Sequence, residues 1–362
     1  MPNVPAGTGV ATRLHRQFRE PERPDSAVDS KPATDAHPPS ARSRVWSAYW
    51  QQGALHSLPT SFPDNYEGEI REFWAGMLAG LDARHRMLDI GTGNGALPRL
   101  ALDLRGHDSP QVDAIDAAHV APDWHSALPA STRGRIRFHG HVHAEQLPFP
   151  DGHFDLVTSQ YGFEYTDTAA TAAEAWRVLR EGGRLGLVMH HAGSRLHLVA
   201  AAEAEGAAVV SGPAGFLQRA MDLIPWLAMA ARGEVQQLRA TPAAGKARED
   251  FNAAAAALGA RIETGQDSGL LADVREYVFR LVQALQGGRV DESAARAHLA
   301  SYMDTVAHAQ VRSAELCRHA LTEDGMQRLH ATLADAGFSD LRASTLRHDG
   351  MLMGWGLQAV RA

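Results

Sequence analysis

The stretch Arg86-Met-Leu-Asp-Ile-Gly-Thr-Gly-Asn-Gly-Ala96 constrains this chain more than any other part of it. A short apolar run, Met87, Leu88 and Ile90, carries one acid, Asp89, and leads into the alternating glycines Gly91, Gly93 and Gly95. Behind them Ala96, Leu97, Leu100, Ala101 and Leu104 recur at three and four, the period of a helix face. The pattern predicts a buried strand, a tight turn and a helix N-terminus in succession. Glycine admits positive φ and lets a ligand approach the backbone closely. A helix start offers unpaired N–H groups and the positive end of a dipole. Such a turn suits an electron-rich, nucleotide-like ligand.

Two ligands compete for it. Gly91-x-Gly93-x-x-Ala96 fits the dinucleotide fingerprint, which seats a pyrophosphate. Read from Asp89, the same residues resemble the Asp-x-Gly-x-Gly-x-Gly loop of class I S-adenosylmethionine-dependent methyltransferases. Asp89 favours the second reading, because a carboxylate repels a pyrophosphate and attracts the ammonium of a methionine moiety. Gln111-Val-Asp-Ala-Ile115 reads as a second strand ending at Asp116, an acid placed to accept from both ribose hydroxyls. A third strand, Arg135 to Phe138, leads into Ala144-Glu-Gln-Leu-Pro-Phe-Pro-Asp-Gly-His-Phe-Asp-Leu-Val157. That passage is similar to the adenine-side and fourth-strand motifs of small-molecule methyltransferases such as those of ubiquinone and menaquinone synthesis. Arg177 to Val188 resembles the family's helix, glycine turn and fifth strand.

The resemblance implies S-adenosyl-L-methionine as cofactor, held by Asp89, Gly91, Thr92, Gly93, Asn94, Gly95, Asp116, Ala117, His143, Ala144, Glu145 and Gln160. One residue departs from the pattern. The family has an acid for the adenine amino group where His143 stands here; a neutral imidazole nitrogen still accepts that bond. Strand alternation would put His139, His141 and His143 on one face, but no fourth ligand is apparent, so no metal site is expected.

The resemblance also implies the fold class: α/β, with a Rossmann-like, seven-stranded, mostly parallel sheet flanked by helices, its last strand antiparallel. The closing helix and the strands from Phe338 and Met351 are readable at the far end. Residues 1–43, rich in Pro, Ser, Asp and Arg, are expected to be a disordered tail without a secretory signal. Residues 44–84 concentrate Trp46, Tyr49, Trp50, His56, Phe62, Tyr66, Phe73 and Trp74 and read as an aromatic lid or a helix pinned to the sheet. The core is assigned to 85–194 and 322–362. Between them, 195–321 form a large helical insertion after the fifth strand, either a substrate cap or a homodimer surface. In it Leu270, Val274, Val278, Leu281 and Leu285 mark one apolar face, while Pro213, Pro225, Pro242 and Gly287-Gly288 punctuate the pattern.

A net charge of −7 argues against a general nucleic-acid partner. A single cysteine, Cys317, excludes an internal disulfide, and no apolar run reaches membrane-spanning length. A cytoplasmic bacterial enzyme is the expectation. Methyl transfer needs alignment more than side-chain chemistry, with a base only for a protonated nucleophile. Tyr161 and Glu164 after the fourth strand, and His190 and His191 after the fifth, are the candidates for the acceptor side. Transfer to an O, N or C nucleophile of a small molecule is the leading reading. RNA or protein methylation and a non-catalytic assembly role are the alternatives.

Overall fold

A computed structural model describes residues 40–264 and 269–362. The segment expected to be a disordered tail lies outside the described residues up to position 39. Its last residues do not fit that expectation: helix α1 (Ala41–Trp50) begins at Ala41, with Ser40 accepting the Ser43 N–H as N-cap.

Residues 40–198 and 315–362 belong to one compact unit and 199–314 to a second. In the first unit α1 is followed by α2 (Gly68–Leu78), β1 (Arg86–Ile90), α3 (Ala96–Arg105), β2 (Gln111–Asp116), β3 (Ile136–Gly140), β4 (Phe154–Gln160), α4 (Thr168–Val178) and β5 (Leu179–His190). The second unit is helical. It contains most of α5 (Arg195–Ser211), then α6 (Phe216–Ala231), α7 (Pro242–Glu263), α8 (Leu270–Gln286) and most of α9 (Glu292–His319). The chain then completes the first unit with α10 (Glu323–Asp335), β6 (Phe338–His348) and β7 (Met351–Arg361).

Seven strands form one sheet in the order β3-β2-β1-β4-β5-β7-β6. β7 is antiparallel to both of its neighbours, and the remaining pairs are parallel. β1 is central and its residues are buried along almost their whole length, as an apolar run covered on both sides requires. Its alternation divides the core. Met87 joins Ile70, Trp74, Met77, Leu97 and Leu100 from α2 and α3 on one face. Leu88 and Ile90 join Ala172, Ala175, Met326, Leu329 and Leu333 from α4 and α10 on the other. The chain passes from β1 to β2 on one side and returns to β4 on the other, which opens a crevice at the carboxyl ends of β1 and β4.

Three expectations are corrected. Leu179 already pairs with Phe154, and the register then jumps to Leu156 opposite Arg184. The expected glycine turn before the fifth strand is therefore a bulge within it, made with Gly182 at φ 69°. Next, β3 ends at Gly140 and His141 takes φ 62°, which breaks the extended alternation. His139 Nε2 donates to Asp113 Oδ1 at 2.8 Å, while His141 and His143 lie beyond the strand. Among the described residues no group of three His, Cys, Asp or Glu side chains is placed to hold a metal ion. Finally, Pro225 lies inside α6 rather than ending a helix. It removes one backbone donor, and burial of Leu217, Ala220, Leu223, Ile224 and Ala228 outweighs that loss.

The second unit has its own core, in which the expected Leu270, Val274, Val278, Leu281 and Leu285 face are all buried. None of the described helices is long and apolar enough to cross a membrane. In the first unit Trp74 is buried and its indole Nε1 donates to the Gln160 amide oxygen, so it joins α2 to the end of β4. We expect Trp74→Ala to destabilise the fold by roughly 3–5 kcal/mol, read as a lowered denaturant midpoint in equilibrium unfolding.

Candidate functional site

The crevice at the ends of β1 and β4 widens into a cavity of about 560 Å³, within the roughly 300–1,000 Å³ usual for small-molecule sites. Its rim depends on two backbones that nearly touch. A Cβ on Gly91, which sits at φ 66°, would come 3.1 Å from the Gly162 Cα. The reverse approach is as tight, at 3.2 Å from a Gly162 Cβ to the Gly91 Cα, so a side chain at either position would crowd the facing backbone. Tyr161, just before Gly162, takes φ 54°, a strained conformation for a non-glycine residue, and its N–H donates to the Val188 carbonyl.

Beneath this turn lies Asp89, 2% exposed. The parallel register sets Thr158 opposite it, and the Thr158 hydroxyl donates to Asp89 Oδ1 at 2.8 Å. Among the described residues no basic side chain forms an ion pair with it, and burial pushes its carboxyl up to about 7. Asp116 closes β2. Its Oδ2 accepts the Gly93 N–H and its Oδ1 accepts the Ala118 N–H, each at 2.8 Å. Burial also raises the Asp116 carboxyl above its usual range. Each oxygen keeps a lone pair beyond those bonds.

Helix α1 covers the turn. A Cβ on Gly93, at φ 54°, would meet the Trp50 ring at 2.5 Å, so the indole lies directly on the glycine backbone. Asn94 Nδ2 donates to the carbonyls of Trp50 and Ala54 at 2.8 and 2.7 Å. Ser43 Oγ donates to the Ala117 carbonyl at 2.7 Å, and Ser47 Oγ accepts the His119 N–H at 2.9 Å. Trp46 stacks on Trp50 with ring centres 5.5 Å apart. The aromatic segment divides between the cavity and the core. Trp46, Trp50 and Tyr66 line the cavity, while Phe62 and Trp74 are core.

Of the residues selected from the sequence, Asp89, Gly91, Thr92, Asp116, Ala117, His143, Ala144, Glu145, Gln160 and Tyr161 line this cavity. Gly93, Asn94 and Gly95 stand behind the lining and shape the turn. Glu164, His190 and His191 are not part of the lining. Glu164 and His190 are buried together, with the Glu164 carboxylate accepting the His190 N–H at 2.8 Å and the Tyr161 and His190 rings stacked at 4.2 Å. Burial raises Glu164 to about 8 and lowers His190 to about 3. Burial thus favours the neutral form of both side chains. His191 stacks on Trp355 and its Nδ1 accepts the Gly193 N–H.

Sequence reasoning missed a second group on the wall. Arg42 Nε donates to Glu315 Oε1 and its Nη1 donates to the Tyr165 carbonyl, both at 2.7 Å. Arg42, Tyr165 and Glu315 all line the cavity. Arg42 and Glu315 are 273 positions apart, a separation at which no local period signals a pair.

Residues 88–187 match the family model described as a methyltransferase domain. They form a domain of the class I S-adenosylmethionine-dependent methyltransferase superfamily. The ubiquinone/menaquinone biosynthesis C-methyltransferase of Stutzerimonas stutzeri is 36% identical over 139 residues, covering 36% of this chain and 54% of that protein. Its counterpart in Pseudomonas aeruginosa is 33% identical over the same length and coverage. The chain thus spans about half the length of the curated relatives it matches. A solved geranyl diphosphate C-methyltransferase from Streptomyces coelicolor aligns at TM-score 0.33 and 18% identity, over 42% of this chain and 66% of that one.

Asp89 gives the methyltransferase domain a pH signature. Its folded value, about 7, exceeds the roughly 4 of an unfolded aspartate, so the folded state binds the extra proton. Its contribution to stability is therefore greatest below about pH 4, falls as pH rises, and levels off above about pH 7. Denaturant midpoints measured across that window should fall more for the ligand-free wild type than for Asp89→Asn. Parallel profiles would show that Asp89 does not titrate in it.

Proposed function

We propose that this protein transfers a methyl group from S-adenosyl-L-methionine to an O, N or C nucleophile of a small-molecule acceptor. The observation that carries the reading is Asp89: a buried carboxyl under a glycine turn, given the Thr158 hydroxyl as donor and, among the described residues, no ion-paired cation. A carboxylate so placed gains from a ligand ammonium what the protein does not supply.

The other residues fit the same cofactor. Asp116 is held rigidly by two backbone N–H groups, and its remaining lone pairs suit a vicinal diol. Gln160 Nε2 and Trp50 Nε1 are buried donors without a partner among the described residues, on side chains that line the cavity. Donors left this way cost free energy until a ligand satisfies them. Ala117, His143, Ala144 and Glu145 form the wall next to Asp116 that would take the purine. When bound, the cofactor supplies a methyl group already activated on its sulfonium.

The protein then has to hold the acceptor in line and keep water away. Trp46, Trp50 and Tyr66 provide apolar wall for that purpose. Tyr161 is fixed by its backbone bond to Val188 and by its stack on His190, and this rigidity supports a positioning role. Burial holds its phenol well above the ordinary value, so it stays protonated and acts through shape and hydrogen bonding rather than as a base. We assign Glu164 and His190 the support of that ring from behind. The relatives' names specify carbon as their methylated atom, which keeps C-methylation among the reactions proposed here.

Incubation with methyl-labelled cofactor and a cell extract should place the label in a small metabolite. Label on RNA or protein would sink the small-molecule reading, and tight binding of S-adenosylhomocysteine without any transfer would sink the catalytic one. Asp116→Ala should weaken S-adenosylhomocysteine by about tenfold or more in calorimetry, the cost of losing a bond to a charged group. An unchanged affinity would remove Asp116 from the ribose site.

A further inference from the structure

The wall formed by Arg42, Tyr165 and Glu315 carries an inference that rests on the cofactor reading above. Glu315 Oε1 is taken by the Arg42 guanidinium, but Oε2 is buried and has no hydrogen-bond partner among the described residues. The carboxylate is thus neutralised on one oxygen and unsatisfied on the other, an arrangement that selects a neutral N–H or O–H donor over a second cation.

The hydrogen bonds show which part of the cavity this oxygen belongs to. Arg42 Nη1 donates to the Tyr165 carbonyl, and Asp167, two residues on, donates its N–H to Glu145 Oε1 at 3.0 Å. On the other side of Arg42, Ser43 ties α1 to Ala117, the residue after Asp116. Glu315 thus lines the same cavity as Ala117 and Glu145, and its Arg42 partner is bonded within a few residues of both. Asp89 and Gln160 are tied instead to Thr158 and Trp74.

The joint is rigid. Arg42 Nη2 lies 3.1 Å from His319 Nε2, and an arginine can only donate, so Nε2 accepts. His319 Nδ1 then carries the proton and donates to the Glu164 carbonyl at 3.0 Å. One turn of α9 thus holds both Glu315 and His319 against the segment after β4. Just past that helix, the Leu321 N–H donates to the His190 carbonyl at 2.8 Å and pins the chain to the end of β5.

We propose that Glu315 Oε2 accepts a hydrogen bond from the exocyclic amino group of the cofactor's purine, making Glu315 a specificity-determining residue outside the matched segment 88–187. It supplies the carboxylate that His143 does not. A purine bearing a carbonyl at that position presents an acceptor to an acceptor and is rejected.

The test compares S-adenosylhomocysteine with S-inosylhomocysteine, its deaminated form, by calorimetry on the full-length protein. Wild type should favour the adenine ligand by about thirtyfold or more, as expected when a buried hydrogen-bonding group is left opposed. Glu315→Gln, whose amide donates to a carbonyl, should narrow that ratio by about tenfold, with its melting temperature confirming a folded protein. His143→Ala should keep most of the ratio. An unchanged ratio in Glu315→Gln, or a ratio lost in His143→Ala alone, overturns the assignment. Absence of S-adenosylhomocysteine binding in the wild type would instead overturn the cofactor reading itself.

Discussion

The near contact of two glycines, Gly91 at the end of β1 and Gly162 just after β4, is the constraint on which the rest of the site depends. Because the two backbones lie within van der Waals contact, the crevice between adjacent strands begins at a fixed place and width. Tyr161 absorbs the sharp exit from β4 by adopting a left-handed conformation, and its ring is held by His190. The glycine turn on the other side is free to face Trp50 and to donate its Gly93 N–H to Asp116. A side chain at either glycine would press on the facing backbone and disturb this junction.

Buried carboxylates give this site its electrostatic character. Asp89, Asp116 and Glu164 are all displaced upward because burial penalises their charged forms. The three differ in what compensates them. Asp116 has two backbone donors, Asp89 one hydroxyl, and Glu164 the backbone N–H of His190. Asp89 and Asp116 line the cavity, where a ligand can complete their solvation, while Glu164 lies outside the lining. Keeping such groups costs stability, which a protein tolerates where function needs them.

The parts legible in advance were those with a local cause. An apolar run with a single acid, alternating glycines and a three-four repeat each reflect geometry within a dozen residues, so β1, the turn and α3 were readable from them. The same holds for the buried face of α8, where Leu270 to Leu285 keep a helical period. Local reasoning failed where tertiary contacts overrode it. Pro225 remains inside α6 because its apolar face is buried, and the turn read near Gly182 is drawn into β5 because Leu179 already has a partner in Phe154. His139, His141 and His143 looked equivalent only while the strand was assumed to continue past Gly140.

By itself the sequence set out a carboxylate, a glycine turn and a second strand ending in an acid through short-range spacing, and the resemblance of those residues to a methyltransferase family implied the cofactor. Only the tertiary structure decided what surrounds it. It brought Arg42, from a segment read as part of a tail, onto Glu315 at the far end of a long helix, and it set Glu164 and His190 behind Tyr161 rather than in the cavity. The reason is physical. Burial and partnership between residues hundreds of positions apart arise from how sheet and helices close on one another, and no periodicity along the chain encodes that closure.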